Sequence, residues 1–395
     1  GRLMRYSELS NRVSGKGSSV WDDHYLAVAR RAAGEDVIVM SVGDPDFNTP
    51  DAITQEAIRS LQHGDTHYTE TVGRSRLRKA IASKIARING VPFTESNVVV
   101  TAGTQNALYA SAALLLNPDD EVLVLEPMFT TYHATIRSTG AEVVTVPCPA
   151  DSAYQPDIEV LRKSITDKTK AIFLASPANP TGAMISPANL ELMAKIAIEH
   201  DLWVVSDEIY CDFIFDGEHH SISAVDNMKD RTIVVGSLSK SHAMTGWRVG
   251  WAIGPEAFVN AFSNLNLAIT YGLPGFVQEA GALALEQELA EVHDMKMEFK
   301  QRRDKAVELL SECSKLQLTS PAAGMFLMVN IEATGLSGLE FSKSLYQEKG
   351  VSVLDGAEFG PSGEGFIRIS FATSTESIAE GCKRILSFAN SINNE

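Results

Sequence analysis

One short run, residues 237–250, carries an amine, two hydroxyls and a guanidinium. The amine is that of Lys240, the hydroxyls are those of Ser237 and Ser239, and the guanidinium of Arg248 follows the lysine by eight positions. An amine can form an imine with a carbonyl compound, while hydroxyl and guanidinium groups are suitable donors to a phosphate. The run therefore indicates a site for a phosphorylated carbonyl compound, with a solvated basic loop as the alternative.

Two segments earlier in the chain place polar groups where predicted strands end. Residues 101–108 are typical of a strand end, a glycine turn at Gly103 and a helix start, and the free N–H groups of such a start bind anions. Asn179 lies between two prolines that restrain it, so its amide could donate to a ring oxygen of a ligand. Each segment also has a purely structural explanation, as a strand-to-helix turn or as a capped turn.

Two charged residues interrupt or end apolar runs. Asp207 follows the predicted strand 203–206, and because an unpaired buried carboxylate is costly, we expect a cation such as a protonated pyridine nitrogen beside it, with Tyr210 near the same ring. The alternative is that Asp207 caps a following helix. Arg368 lies inside the run 365–371 and needs an anion, either an internal carboxylate or that of a substrate.

The elements that must position these groups follow from hydrophobic periodicity. From residue 97 onward, continuous apolar runs alternate with helical patterns, which indicates a mostly parallel sheet covered by helices on both faces. Seven strands are predicted, at residues 98–101, 121–125, 143–146, 171–174, 203–206, 232–235 and 249–253. Open α/β sheets bind ligands at the carboxyl ends of their strands, where Asn179, Asp207 and Lys240 are expected.

The length of 395 residues favours more than one domain. We expect residues 1–45 to form an N-terminal segment that completes a small domain, and residues 46–290 to form a large ligand-binding domain. Residues 291–395 are expected to form the rest of the small α+β domain, with a linking helix at 291–314.

Composition excludes several classes of function. The formal charge of −16 argues against nucleic acid and anionic membrane as partners. The four cysteines are scattered without a CxxC pair, so neither a disulfide framework nor a metal site is expected. Apolar runs stay short of the ~18 residues that a membrane span needs, and a secretory signal is not visible. We therefore expect a cytoplasmic protein.

The segments together resemble the class I/II aminotransferases, enzymes of fold type I that depend on pyridoxal 5'-phosphate. The resemblance extends from residues 42–47 to the strand of Arg368, and the motif residues follow one another in the family's order. It implies a large domain with a mostly parallel seven-stranded sheet and a smaller α+β domain. It also implies pyridoxal 5'-phosphate as the cofactor.

By this resemblance, Lys240 would hold the cofactor as an imine and move a proton during the reaction. Asp207 would pair with the ring nitrogen, and Asn179 and Tyr210 would hydrogen-bond a ring oxygen. Seven more residues would hold the cofactor's phosphate or stack on its ring: Gly103, Thr104, Gln105, Phe129, Ser237, Ser239 and Arg248.

The resemblance also implies a substrate site. Arg368 would bind the substrate α-carboxylate, helped by Asn179 and the backbone at Gly43. Tyr68 matches a tyrosine that reaches the phosphate of the neighbouring subunit, which implies a homodimer with shared active sites.

We expect an aminotransferase that moves the α-amino group of an L-amino acid to a 2-oxo acid by a ping-pong aldimine mechanism. The resemblance is greatest to bacterial arginine–pyruvate aminotransferases, through residues 4–7, 21–25, 237–251 and 324–326, which makes arginine and pyruvate the expected pair. A guanidinium substrate needs an acidic rim, and the candidates are Asp22, Asp23, Asp46 and Glu358.

Three alternatives stay open. The chain departs from the family pattern at residues 355–360 and at 325–326, near where substrate side chains bind, so the substrate is less certain than the chemistry. An aspartate or aromatic aminotransferase, or a pyridoxal-phosphate β-lyase on the same scaffold, would use the same residues. A non-catalytic ligand-sensing module is the distant alternative.

Overall fold

The computed structural model describes residues 1, 3–15 and 21–393. Twelve strands occur in these residues: β1 (Ile38–Val39), β2 (Val98–Thr101), β3 (Glu121–Glu126), β4 (Glu142–Pro147), β5 (Thr169–Ala175), β6 (Trp203–Asp207), β7 (Thr232–Ser237), β8 (Gly250–Ile253), β9 (Phe326–Asn330), β10 (Val351–Ser352), β11 (Leu354–Asp355) and β12 (Phe366–Ser370).

The same part of the chain contains thirteen α-helices. They are α1 (Glu8–Arg12), α2 (Asp22–Ala32), α3 (Asp51–Gln62), α4 (Ser75–Asn89), α5 (Gly103–Leu115), α6 (Tyr132–Arg137), α7 (Ile158–Lys163), α8 (Pro187–Glu199), α9 (Glu256–Ile269), α10 (Gly275–Glu286), α11 (Ala290–Leu310), α12 (Gly338–Lys349) and α13 (Thr375–Ser391). None of these described helices combines the length and the apolar character needed to cross a bilayer.

Seven strands form the central sheet, in the order β2-β8-β7-β6-β5-β3-β4. Strand β8 runs antiparallel to both of its neighbours, and the other strand pairs are parallel. The predicted mostly parallel seven-stranded sheet is therefore confirmed, with strand ends that differ from the predicted ones by no more than two residues.

Both faces of this sheet are buried, which explains the continuous apolar runs. Successive residues of a strand point to opposite faces, and Ile172 and Phe173 of β5 accordingly pack into two separate apolar clusters. Leu123 and Val124 of β3 divide between the same two clusters. Helices α5 and α8 contribute to these clusters, one to each, so a layer of helices covers each face.

The C-terminal part of the chain forms a smaller antiparallel sheet in the order β11-β12-β9. Helices α11, α12 and α13 supply most of the remaining apolar side chains of its core. The N-terminal strand β1 pairs in parallel with β10, and Met40 just after it packs into the same core. Residues 38–40 therefore belong structurally with the C-terminal part of the chain.

Candidate active site

A cavity of about 220 Å³ opens at the carboxyl ends of β5, β6 and β7. Parallel strands end at the same edge of a sheet, so the residues that follow each strand meet there. Ten of the residues predicted for the site line this cavity: Thr104, Gln105, Phe129, Asn179, Asp207, Tyr210, Ser237, Ser239, Lys240 and Arg248.

Lys240 lies in the turn after β7 and donates a hydrogen bond from its amine to the backbone carbonyl of Gly43. The pKa of Lys240 is lowered to about 8, mainly by burial; the charge of Asp44 opposes this shift, and the charges of Arg368 and Arg248 contribute to it. At pH 7 about one amine in ten is then unprotonated, compared with fewer than one in a thousand at the ordinary pKa. The site therefore supplies a nucleophilic amine near neutral pH.

Asp207 is the last residue of β6 and is buried. Its Oδ2 accepts a hydrogen bond from the hydroxyl of Tyr132 at 2.5 Å, and its Oδ1 accepts one from the backbone N–H of Ile209 at 3.2 Å. Burial raises the pKa of Asp207 to about 6, against the lowering effect of these two donors. A turn rather than a helix follows, so Asp207 is not a helix cap. A buried carboxylate of raised pKa is stabilised when a cation binds beside it.

The start of α5 and the loop before β8 form a group of donors at the other end of the cavity. Gly103 has a φ of +85°, and a Cβ there would lie 2.3 Å from Nη2 of Arg248, so the close approach requires glycine. Arg248 donates to the carbonyls of Thr245 at 2.9 Å and of Ala102 at 3.2 Å. The buried hydroxyl of Thr104 has no partner in the described part of the chain. A helix start with an arginine and a free hydroxyl is suited to binding an anion.

Arg368, in β12, lies next to the cavity and is buried. Its Nη1 donates to Oδ1 of Asn179 at 3.0 Å and its Nη2 to the carbonyl of Ser41 at 2.9 Å, while its Nε has no partner among the residues described. Burial lowers the pKa of Arg368 to about 9. Within the described ranges it pairs with no carboxylate, so the internal ion pair that the sequence left open is not observed. A buried guanidinium without a carboxylate partner favours the binding of an anion.

Two aromatic rings hold this guanidinium in place. The Cζ of Arg368 lies 4.0 Å from the ring centre of Phe326 and 4.7 Å from that of Phe359. The ring of Phe326 also fills the space beside Gly43, where a Cβ would lie 2.4 Å from its Cζ. Both phenylalanines belong to the segments in which the chain departs from the family pattern, and these segments therefore form the walls around Arg368.

Tyr68 does not reach the cavity of its own chain. Its side chain is 88% exposed, and its ring lies 5.6 Å from that of Tyr271. Its assignment to the site of a neighbouring subunit remains a prediction.

The profile of the aminotransferase class I and II family matches residues 35–385 of the chain. The chain belongs to this family. It is an aminotransferase that depends on pyridoxal 5'-phosphate, as the resemblance predicted.

Individual relatives agree with this membership. The chain is 46% identical to the arginine–pyruvate transaminase of Pseudomonas aeruginosa over 97% of both chains. It is 36% identical to aromatic-amino-acid aminotransferase 2 of Thermococcus litoralis over 89% of this chain and 91% of that one. Among solved structures, the aspartate aminotransferase of Thermus thermophilus with maleate superposes with a TM-score of 0.91 at 32% identity, covering 98% of this chain and all of the other.

The residues present fit pyridoxal 5'-phosphate in three respects. The cavity offers an amine of lowered pKa on Lys240, a buried carboxylate without a cation on Asp207, and an unpartnered hydroxyl on Thr104 beside the guanidinium of Arg248. These are partners for an aldehyde, a ring nitrogen and a phosphate, respectively.

Sequence reasoning missed two contributors to this aminotransferase site. Tyr132 donates to Asp207 across 75 residues of sequence, and Ser41 offers a backbone carbonyl to Arg368 across 327. Tyr132 is the first residue of α6 and follows Phe129 by three positions, but nothing in that spacing identifies its partner. A backbone carbonyl carries no sequence signal at all.

Proposed function

We propose that this aminotransferase transfers the α-amino group of L-arginine to pyruvate. The observation that carries the proposal is the 46% identity to an arginine–pyruvate transaminase, which extends over 97% of both chains. Relatives named for aspartate or aromatic substrates share 34–36% of residues with this chain. Arginine is therefore the favoured donor.

We assign the catalytic roles as follows. When bound, pyridoxal 5'-phosphate supplies a ring that withdraws electrons from the α-carbon of the substrate. Lys240 would hold the cofactor until the amine of the substrate displaces it, and its Nζ would then take the proton of the substrate α-carbon and pass it to the cofactor, which its lowered pKa favours. Asp207 would stabilise a positive charge at the ring nitrogen, and Tyr132 keeps that carboxylate oriented through its hydroxyl. Tyr210 and Asn179 would donate to the ring oxygen.

The remaining site residues position the phosphate and the substrate. Arg248, with the start of α5, would hold the phosphate, and Phe129 would pack beside the ring. Arg368 binds the substrate α-carboxylate, since its guanidinium is oriented by Asn179 and Ser41 and has an unsatisfied Nε. Because Asn179 and Ser41 already orient the guanidinium of Arg368, this group needs little rearrangement when the substrate binds.

We also propose a homodimer with shared active sites. The large apolar side chains Leu267, Ile269 and Tyr271 are each more than half exposed, and Tyr68 beside them is almost fully so. A hybrid experiment tests this arrangement: Tyr68→Ala and Lys240→Ala proteins are mixed after mild dissociation. One site of the mixed dimer then has both native residues, so activity should reappear. A mixture as inactive as the Lys240→Ala protein alone would contradict sharing.

We further propose the division into a large domain (46–290) and a small domain (1–45 with 291–395), supported by the pairing of β1 with β10.

A reducing, cytoplasmic location is supported by the four free cysteines.

A panel of amino donors with pyruvate and 2-oxoglutarate, read by keto-acid formation, tests the substrate proposal. Arginine with pyruvate should give the highest kcat/KM. A preference for aspartate or aromatic donors would replace the proposed substrate, and release of ammonia with pyruvate from a β-substituted donor would indicate a β-lyase. Cofactor binding without turnover of any donor would indicate a ligand-sensing module.

A further inference from the structure

Four acidic residues were candidates for binding a cationic substrate side chain, and the structure separates them. Asp46 is already paired, because both of its oxygens accept from Arg302, at 2.6 and 2.9 Å. Asp22 is exposed, and Asp23 lies near the charge of Lys343. Glu358 differs from all three in its contacts and in its position.

Glu358 directly precedes Phe359, the residue whose ring packs on Arg368. It belongs to the short turn Gly356–Phe359 that follows β11, and β11 pairs with the strand of Arg368, with Leu354 opposite that arginine. The next residue, Phe359, packs its ring on Arg368 and accepts a hydrogen bond from the N–H of Met128 at 2.8 Å. Met128 precedes Phe129, which lines the cavity. The turn thus bridges the proposed carboxylate site and the cavity wall.

The carboxylate of Glu358 is poorly satisfied. Its hydrogen bond comes from Nε1 of Trp21 and is long, at 3.4 Å, whereas an ionised carboxylate can accept about four. Burial raises the pKa of Glu358, and the nearby carboxylate of Asp355 adds to this effect. Two carboxylates in a partly desolvated place create a negative potential that a cation would relieve.

We propose that Glu358 binds the cationic side-chain group of the amino donor and so selects a guanidinium substrate over neutral amino acids. This inference rests on the proposed function. In an extended arginine the guanidinium lies about 7 Å from the α-carboxylate, given bonds of about 1.5 Å. An arginine whose α-carboxylate binds Arg368 would therefore have its guanidinium about 7 Å from that contact. The planar fork of a guanidinium matches the two oxygens of a carboxylate.

The test uses the holoenzyme of Glu358→Gln, with L-arginine and L-citrulline as donors. Citrulline has the same shape as arginine but a neutral urea group, so the ratio of the two kcat/KM values reports the charge contact. Glutamine keeps an oxygen that can accept from Trp21, so the turn should be preserved. The arginine-to-citrulline ratio should fall at least tenfold through a loss for arginine, with citrulline turnover nearly unchanged. As a control, Asp22→Asn removes an exposed acid at the start of α2, next to Trp21, and should leave the ratio unchanged.

A binding measurement separates recognition from chemistry. The compound 5-guanidinopentanoate carries the carboxylate and guanidinium of arginine but no amino group, so it can bind without reacting. Its Kd, measured by calorimetry on the same holoenzymes, should rise about tenfold in Glu358→Gln and stay the same in Asp22→Asn.

The outcomes distinguish this inference from the proposed function. A wild-type enzyme that uses citrulline as well as arginine would overturn the selection by Glu358 and leave the proposed function standing, whereas a wild-type enzyme that does not use arginine would contradict the proposed function. A wild-type preference for arginine that Glu358→Gln retains within twofold would overturn the role of Glu358 alone. A parallel loss for both donors would show that Glu358 only maintains the turn, which also overturns its role in selection.

Discussion

Replacement of Tyr132 by phenylalanine removes the hydroxyl that donates to Asp207 at 2.5 Å, and leaves the buried ring in place. A hydrogen bond to a charged group contributes about 1.5–3 kcal/mol, and each pKa unit corresponds to about 1.36 kcal/mol. The pKa of Asp207, about 6 with the hydroxyl present, should therefore rise by about one to two units.

The consequence for cofactor binding depends on pH, because the ring nitrogen needs an ionised Asp207. With a pKa of about 6, the carboxylate of Asp207 is mostly ionised at pH 7, whereas a pKa of about 7–8 leaves about one half to one tenth of it ionised. The variant should then bind pyridoxamine 5'-phosphate about two- to tenfold more weakly than wild type at pH 7. The difference should grow towards pH 5 and vanish near pH 9, where both carboxylates are ionised.

Fluorescence titration of the cofactor-free proteins with pyridoxamine 5'-phosphate, at intervals from pH 5 to 9, measures this dependence without a covalent bond to Lys240. Tyr346→Phe is the matched control, because Tyr346 is also buried and its hydroxyl also bonds a charged group, Arg30, at 3.3 Å, in the small domain. A Kd ratio to wild type that is the same at pH 5 and pH 9 would refute the reasoning, whatever its size.

Three further outcomes are expected. Lys240→Ala should abolish turnover, while pyridoxamine 5'-phosphate should still bind in calorimetry. Transamination by this variant at the wild-type rate would contradict the role of Lys240. Arg368→Lys should raise KM for α-carboxylate donors about 10–100-fold, because an ammonium cannot make the two-point contact of a guanidinium; an unchanged KM would remove Arg368 from the substrate site. Burial lowers the pKa of His242 to about 4, so its neutral form stabilises the fold and about 3 kcal/mol is lost as the pH falls from 6.5 to 4. His242→Asn should flatten that part of the pH dependence in urea unfolding, and an unchanged slope would contradict the assignment.

Most strands of the central sheet were predictable because they are continuous apolar runs that are buried on both faces, whereas the edge strand β4 is only partly buried. Helix α9 was not, although Phe258 and Phe262 are buried, because Leu267 and Ile269 on the same helix are exposed and remove the amphipathic pattern. The short run 351–354 contributes to two strands: β10 pairs with β1 and β11 with β12, so tertiary pairing divides a segment that the local sequence does not divide.

The site was predictable where one residue type has one chemical use, as for the amine of Lys240 and the guanidinium of Arg368. What could not be predicted is how each group is held. The partners that were missed are the phenol of Tyr132, which donates to Asp207, and the backbone carbonyl of Ser41, which accepts from Arg368; neither type of group is specific to this role. Local sequence patterns identify reactive groups, whereas their orientation depends on contacts between distant segments.

The contacts of Arg368 have a consequence for synthesis of the chain. Its partners lie 189 and 327 residues earlier, so the proposed α-carboxylate site joins residue 41 to residue 368. Contacts of such high sequence separation form late, because long loops must close first. A ribosome-bound chain can complete the lysine turn and the central sheet well before Arg368 is made. The nascent protein should therefore become able to bind its cofactor before it can bind an amino acid.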